Sequence, residues 1–560
     1  MQDNPRDQLR FGVMCNGKTL QHWQAQSIRK ILDLSRVTLT LLIVEPGGKR
    51  RIKKVPPGHF LFQVYRNLFV KPPALKPVDV NELFLDIPRI TCVASKKGRF
   101  SEYFSDDDVE RIQSYDLDFI LRFSYGILQG RILSAARYGI WSFHHGDETK
   151  YRGRPACFWE IFYGDPVTGA MLQRITERLD AGIVLKKGHF RTKNTSYAQN
   201  LQLVCSESSR WPSQVCIDIL NDKAPYLVSP PSTTRAKIFS RPRNRETFLF
   251  ISKLLTNRLI GLYRLFFHYS FWNIGLVNAP IDTFLDPGYK PEIKWLPRPR
   301  KGEFKADPFG ISHPPNIQVF FENLDYRAPK GIIYTAEISE GALISEPRTV
   351  IELPVHMSYP YLIEYEGEIY CIPETNRARE ISVYKAQKFP YEWKKSTTLL
   401  SNVMAIDSTV FQHQDRWWLM FTDRKRGGDA NLYVWYSPDL WGPWKPHANN
   451  PVKSDVRSAR PGGTPFTHNG FLYRPAQDCS ETGGGRLIIN RVSSLTPTEF
   501  KEEPIVAVEP DKSGPFPEGL HTLSKVDNYT LIDGKRFGFF TIALVNSVVK
   551  GIKRTLDLDV

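Results

Sequence analysis

The sequence predicts a multidomain protein: an α/β domain with a Rossmann-like parallel sheet, then an all-β domain built as a five-bladed β-propeller. Two patterns carry this reading. Residues 118–125 (DFILRFSY) form an apolar run of strand length, Gly126 breaks it, residues 127–136 have helical spacing, and residues 138–143 form a second short apolar run. Strand, helix and strand joined by short turns make the βαβ unit of a parallel sheet. From about Glu292 onward, short aromatic strands recur at a spacing of about 50 residues, the mark of a repeat architecture. The expected domains are 1–204 (α/β), 205–290 (a helical basic linker) and 291–560 (the propeller).

Each element has its own signal. Residues 9–16 (LRFGVMCN) read as a first strand with Gly17 as its turn, residues 19–32 as a helix, and residues 37–44 (VTLTLLIV) as a second strand. Residues 47–54 form a basic polar turn. Pro225, Pro230, Pro231 and Pro242 punctuate the expected linker, and a long helical pattern follows. From Arg235 to Arg264 there are eight Lys or Arg against one acid, Glu246. A helix that is basic on one side and rich in Leu and Phe on the other suits either a membrane interface or the space between two domains. In the all-β part, one series of strands runs through Phe321, Tyr370, Leu419 and Tyr473. A second, offset series runs ADPF at Ala306, SYPY at Ser358, IDSTVF at Ile406, ARPGGTPF at Ala459 and GLHTL at Gly519. Five such units of about four strands each describe five blades.

The chain has 560 residues and a formal charge of +16, with seven cysteines and no CxxC spacing. That length supports two or three independently cored domains. The charge favours an acidic partner: nucleic acid, a nucleotide-linked substrate or an anionic membrane surface. Scattered cysteines argue against a disulfide framework or a zinc cluster and suit a reducing compartment, so no metal site is expected. The first residues, MQDNPRDQLR, lack the apolar core of a secretory signal. The expectation is a cytoplasmic protein, able to sit at the membrane periphery.

Two patches carry chemistry. In the first, WSFHHGDETKYRG (141–153) and LDAG (179–182) place His144 at a strand end, within reach of a carboxylate, Asp180, and a basic glycine turn, Tyr151-Arg152-Gly153. A histidine and a carboxylate above the carboxyl ends of a parallel sheet are the parts needed to move a proton in acyl transfer. The order DFILRFSYGILQGRILSAARYGIWSFHHGDETKYRG, followed by the LDAG segment, resembles the folate-dependent formyltransferases over roughly residues 9–200. The family's asparagine is Ser142 here, and its serine-leucine-leucine-proline loop is Gly146-Asp147-Glu148-Thr149. The resemblance implies catalytic roles for His144, Asp180 and Ser142. It also implies 10-formyltetrahydrofolate as co-substrate, bound by Phe123, Tyr125, Gly126, Leu128 and Arg152, and an amino sugar as acceptor, carried on a nucleotide or a glycolipid. Charged tRNA, and nucleic acid generally, is not expected, because the β-rich part has the wrong repeat for that subgroup's small C-terminal barrel.

The second patch follows from propeller geometry, in which the innermost strand of each blade lines a central channel. The offset series then brings Asp307, Tyr359, Asp407, Arg460 and His521 around one funnel, a set suited to a polyhydroxylated ligand. The words KADPF, SYPYLIEYEGEIYCIPE, DSTVF, WGPW, ARPGG and YRPAQDC resemble the N-terminal region of plant glucosamine inositolphosphorylceramide transferases and, more distantly, furanosidase-type glycoside hydrolases. Those hydrolases use three acids on their first three blades, and the second inner position here is Tyr359. The leading expectation is thus an N-formyltransferase acting on an amino sugar in glycan or glycolipid biosynthesis. The alternative makes the propeller the active part, as a glycosidase, glycosyltransferase or glycan-binding module, beside a degenerate first domain.

Overall fold

The computed structural model describes residues 7–17, 19–46, 56–97, 101–339 and 342–541. The basic turn expected at 47–54 lies outside them. The chain divides into two compact units, Met1–Asn257 and Arg258–Val560.

The first unit is built on a seven-stranded sheet. Its strands run in the order Ile183–Arg191, Val167–Arg174, Ile140–His144, Phe119–Arg122, Leu9–Cys15, Val37–Val44 and Arg89–Thr91. The five strands from Ile140–His144 to Arg89–Thr91 pair in parallel, and the two at the other edge are antiparallel. Parallel strands covered on both faces are apolar throughout, and Phe11, Val13, Phe119, Ile120, Ile140 and Trp141 are all fully buried. An aromatic ladder crosses three adjacent strands: Phe11 stacks on Phe119 at 5.2 Å, and Phe119 on Trp141 at 3.8 Å.

Three expectations are corrected here. Residues 127–136 do not form a helix. They give a short strand, Ile127–Leu128, and a 3-10 turn, Arg131–Ser134, because Gly130 takes φ +80°, a left-handed conformation that stops a helix from starting earlier. The first helix starts at His22 rather than residue 19, since Thr19–Gln21 pairs with Pro77–Asp79. Residues 205–290 are not a linker. Helices Tyr197–Ser208 and Trp211–Leu220 bury Val204, Cys205, Trp211 and Val215 in the first unit. Tyr269–Val277 pairs antiparallel with Tyr529–Gly538 in the second. The expected long helix is present as Asn244–Phe267.

Among its described residues, the second unit has five antiparallel sheets. The first joins Tyr269–Val277 and Ile293–Trp295 to the distant Leu523–Val526 and Tyr529–Gly538. The second runs through Glu303–His313, Asn316–Asp325 and Ala328–Ser339. The third holds Ser358–Tyr365, Glu368–Glu374, Glu380–Lys388 and Glu392–Ser401. The fourth holds Ala405–His413, Arg416–Asp423 and Asn431–Ser437, and the fifth Phe466–His468, Phe471–Asp478, Arg486–Leu495 and Phe500–Val508.

Apolar clusters lie between successive sheets. Ile274 and Leu276 of the first meet Val319 and Phe321 of the second. Phe320 and Ile333 meet Cys371 and Tyr384 of the third. Tyr361 and Ile372 meet Val410 and Leu419 of the fourth, and Trp418 and Leu432 meet Leu472 and Val492 of the fifth. Leu487 and Ile489 of the fifth pack back on Val277 and Ile532 of the first.

A buried ionic knot ties the fourth sheet to the fifth. The Glu502 carboxylate accepts from Arg474 Nη2 at 2.6 Å, from Arg474 Nε at 2.9 Å and from Lys453 Nζ at 2.7 Å. The Arg474 and Glu502 side chains are each only 2% exposed. Breaking a buried pair leaves uncompensated charge and costs about 3–5 kcal/mol. Glu502→Ala is therefore expected to lower the unfolding free energy of the second unit by about 3–5 kcal/mol in urea denaturation of the full chain. A change below about 1 kcal/mol would mean that the knot does not hold the sheets together.

Candidate functional site

The first patch is assembled as expected, yet its groups are already engaged. Asp180 sits in a left-handed turn at φ +48°. Its Oδ1 lies 3.4 Å from His144 Nδ1, and its Oδ2 accepts the Gly153 N–H at 2.8 Å. His144 Nε2 lies 2.8 Å from the Tyr151 carbonyl. A carbonyl can only accept, so Nε2 carries the ring proton and donates it there. Arg152 donates Nε to the Leu179 carbonyl at 3.1 Å and Nη1 to that of Ala236 at 3.4 Å, while Nη2 also reaches Leu179. Its charge clamps a turn rather than facing a ligand. Ser142 is buried within the strand Ile140–His144, opposite Gln173.

The expected co-substrate residues behave similarly. In the turn after Phe119–Arg122, the Tyr125 N–H donates to Glu45 at 3.1 Å and the Gly126 N–H to Glu102 at 2.5 Å. Phe123 packs edge-on against Trp23, and the Tyr125 hydroxyl donates to the Cys92 carbonyl at 3.1 Å. Leu128 is buried in the core. The loop 146–149 closes on an ionic cluster, with Lys187 Nζ 2.8 Å from Asp147 and 2.9 Å from Glu148.

In the second unit the expected residues come from equivalent places. The inner strands of the second, third and fourth sheets are each interrupted by a bulge, between Ala306 and Phe309, Ser358 and Tyr361, and Ile406 and Thr409. The first bulged residue of each adopts the left-handed conformation: Asp307 at φ +53°, Tyr359 at +45° and Asp407 at +53°. Such φ values are uncommon for side-chain-bearing residues and persist only where surrounding bonds over-determine them. Here the bonds come from carboxylates. Asp533 accepts the Asp307 N–H at 3.1 Å, Asp307 that of Tyr359 at 3.2 Å, and Glu374 that of Asp407 at 3.2 Å.

The charged groups form one network. Arg460 donates Nε to Asp407 at 2.6 Å and Nη1 to Asp429 at 3.2 Å, and Gln477 donates to Asp407 at 2.6 Å. His521 lies between Asp533, at 2.5 Å, and Asp307, at 3.5 Å, and stacks on Trp272 at 3.8 Å. Burial pushes the Asp307 carboxyl up, the neighbouring His521 opposes it and Asp407 adds to it, leaving it at about 6. Asp407 also rises to about 6, through burial, against the pull of Arg460. Burial lowers the His521 imidazole, but Asp533 and Asp307 outweigh that and raise it overall. Asp307, His521 and Asp533 place three donor atoms within 4.8 Å of one another, a donor set that could hold a metal ion. The imidazolium between the two carboxylates supplies the positive charge that such a cation would.

Tyr359 does not serve the funnel as expected. Its side chain is fully buried, and its hydroxyl lies 3.0 Å from Thr409 Oγ1 and accepts the Gly463 N–H at 2.9 Å. The residues that sequence reasoning missed are Asp533, Asp429, Gln477 and Trp272. Asp533 had a signal: it follows the apolar strand Leu531-Ile532 as Glu322 follows Phe320-Phe321 and Glu374 follows Ile372-Pro373. Asp429, in a short turn, had none.

Residues 298–530 match the family model described as glucosamine inositolphosphorylceramide transferase 1, N-terminal. The chain is 37% identical over 218 residues to glucosamine inositolphosphorylceramide transferase 1 of Oryza sativa subsp. japonica, which covers 38% of this chain and 29% of that protein. The chain thus spans under a third of the length of that relative. A methionyl-tRNA formyltransferase of Prochlorococcus marinus is 32% identical over 92 residues, covering 16% of this chain and 27% of that protein. Among solved structures, a family 117 glycoside hydrolase of Zobellia galactanivorans aligns with a TM-score of 0.30 at 14% identity, covering 37% of this chain and 71% of that one. The expectation of a folate-dependent N-formyltransferase for amino sugars is overturned by the family match and the rice relative, which carry the name of a glycolipid glycosyltransferase.

The raised His521 sets a pH dependence. A group whose folded pKa exceeds its unfolded value of about 6.5 gives stability that is fully present below that value and lost as pH rises through the folded pKa. The melting temperature of the second unit is expected to fall as pH increases above 6.5, and His521→Gln should flatten that fall. A wild-type profile that is flat or rising there, or an unchanged slope in the variant, would contradict the buried imidazolium.

Proposed function

We propose that the second unit is a five-bladed propeller that recognises the polyhydroxylated headgroup of a glycolipid, and that the chain serves glycolipid glycosylation through this recognition. The observation that carries the proposal is the convergence of Asp307, Asp407, Arg460 and His521 from equivalent repeat positions, within the segment that matches the family model. The cyclic succession of sheet-to-sheet clusters supports five blades closed by a sheet drawn from both ends of the unit. Binding is favoured over hydrolysis. A glycosidase must present one free carboxylic acid and one free carboxylate to the sugar, whereas Asp307 and Asp407 are 5% and 1% exposed and hold backbone amides and Arg460. Arg460 and Asp429, with side chains 22% and 31% exposed, are the polar groups able to meet sugar hydroxyls.

Calorimetric titration of the full chain with inositol, glucosamine and common hexoses tests this. Saturable binding of at least one of them is expected, weakened about tenfold or more by Asp429→Asn, a loss of about 1.4 kcal/mol. Absence of binding across the panel, or equal affinity in the variant, would remove the funnel as a site.

The helix Asn244–Phe267 supports a membrane-peripheral setting. Leu255, Leu259, Leu262, Tyr263 and Leu265 are each 51–66% exposed, and no acid occurs between Glu246 and Asp282, a stretch that includes Lys253, Arg258 and Arg264. Exposed apolar surface on this scale marks an interaction site, and its charge suits anionic lipid. No helix among the described residues is long and apolar enough to cross a membrane. The seven cysteines are all buried free thiols, as suits a reducing compartment.

Co-sedimentation should show binding to phosphatidylserine vesicles and weaker binding to phosphatidylcholine. Each leucine buried contributes about 1.5–3 kcal/mol, so Leu259→Glu/Leu262→Glu should cut binding by about a hundredfold or more. Unchanged sedimentation of that variant would rule out the helix as the membrane contact.

A further inference from the structure

A cavity of 490 Å³ opens in the second unit, lined among others by Tyr326, Lys330, His356, Asn376, Arg377 and Arg424. These residues come from the second, third and fourth sheets and their connections, and none was singled out by sequence. The cavity lies within the size range of small-molecule sites and is much larger than a bare anion needs.

Its charge is one-sided. Arg377 and Arg424 are exposed, and neither guanidinium has a carboxylate within ion-pair distance among the described residues. Lys330 lies 2.6 Å from Glu352 and also donates to the Leu353 carbonyl. His356 Nδ1 accepts the Gly331 N–H at 2.9 Å, so its proton sits on Nε2, which points 3.4 Å from Glu322 Oε1. Glu322 is fully buried, and burial together with the surrounding carboxylates raises its carboxyl well above the usual range. The acid behind the wall therefore does not neutralise the arginines in front of it. Leu324, Pro354 and Val355 give the same cavity apolar surface.

Two unpaired guanidiniums converging on a cavity match the planar, forked recognition of a phosphoryl group, and the apolar and amide lining suits a carbon skeleton bearing hydroxyls. We infer that this cavity is a binding site for a phosphorylated polyol, with Arg377 and Arg424 holding the phosphoryl group and Asn376 and Tyr326 bordering the polyol. Asn376 also bonds Glu374, which accepts the Asp407 N–H, so the cavity wall is continuous with the carboxylate network. The site stands on its own residues and does not require the headgroup reading of the funnel.

Calorimetric titration of the full chain tests the inference, with glucose 6-phosphate, glucose and inorganic phosphate as probes. Glucose 6-phosphate is expected to bind saturably, and the other two about tenfold or more weakly. Arg377→Gln/Arg424→Gln should weaken glucose 6-phosphate by about tenfold or more with an unchanged melting curve, since both side chains are exposed, while Asp429→Asn should leave it unaffected. Equal affinity for glucose and its phosphate, equal affinity for inorganic phosphate, or undiminished binding by the double variant would overturn the site. Competition by phosphatidylinositol vesicles, beyond that of phosphatidylserine vesicles, would support a lipid-borne polyol phosphate as the ligand. Competition no greater than with phosphatidylserine would support a soluble one.

Discussion

The second unit depends on a carboxylate placed to accept a backbone N–H from a left-handed bulge on a neighbouring sheet. Asp533 does this for Asp307, and Glu374 for Asp407. A bulge frees one N–H from the ladder and aims it inward, where an unpartnered donor would cost about 1–3 kcal/mol. Supplying the acceptor from another sheet turns that local cost into a link between sheets. Asp307 carries the device one step further: the residue whose amide is held by Asp533 uses its own carboxylate to hold Tyr359. Acids at these positions are therefore demanded by the fold, and Asp307 and Asp407 end with raised pKa values chiefly because each is buried, with neighbouring carboxylates adding to the rise.

That double role explains why the inner positions were legible in the sequence and their chemistry was not. Repeat phase groups Asp307, Asp407, Arg460 and His521, and in the structure the four share one charged neighbourhood, because a periodicity of about 50 residues reports equivalent strand positions. It could not report that Asp407 would be held by Arg460 and Gln477, or that Tyr359 would turn its hydroxyl to Thr409 and Gly463. Phase fixes direction, whereas engagement depends on contacts about 50 to over 200 residues away. The α/β unit shows the same division. Its strands show as apolar runs, but the crossover at 127–136 does not follow its helical spacing, since ten residues of it cannot outweigh the left-handed Gly130.

In the first unit, motif order and chemistry come apart. His144, Asp180 and Arg152 are brought together in the expected register, and each is bonded to the chain's own backbone. A histidine whose Nε2–H donates to a carbonyl and whose Nδ1 faces a carboxylate is held in one orientation from both ring nitrogens. The substituted loop acts in the same direction, since Asp147 and Glu148 bring Lys187 across the patch. The residues that mark an acyl-transfer site in sequence also close a turn here, and the family match falls on the other unit.

Unpaired charge then becomes the more useful guide to where this chain meets a ligand. Folding neutralises what it can: the Glu502 knot, the Asp407–Arg460 pair and the His521 triad each pair opposite charges out of water. Arg377 and Arg424 lie on turns at the ends of the second strands of adjacent sheets, next to acids that bulge amides and burial have removed from play. Among the described residues, Arg377 and Arg424 line the 490 Å³ cavity with no carboxylate within ion-pair distance. An anionic ligand entering there meets charge that the fold has not used.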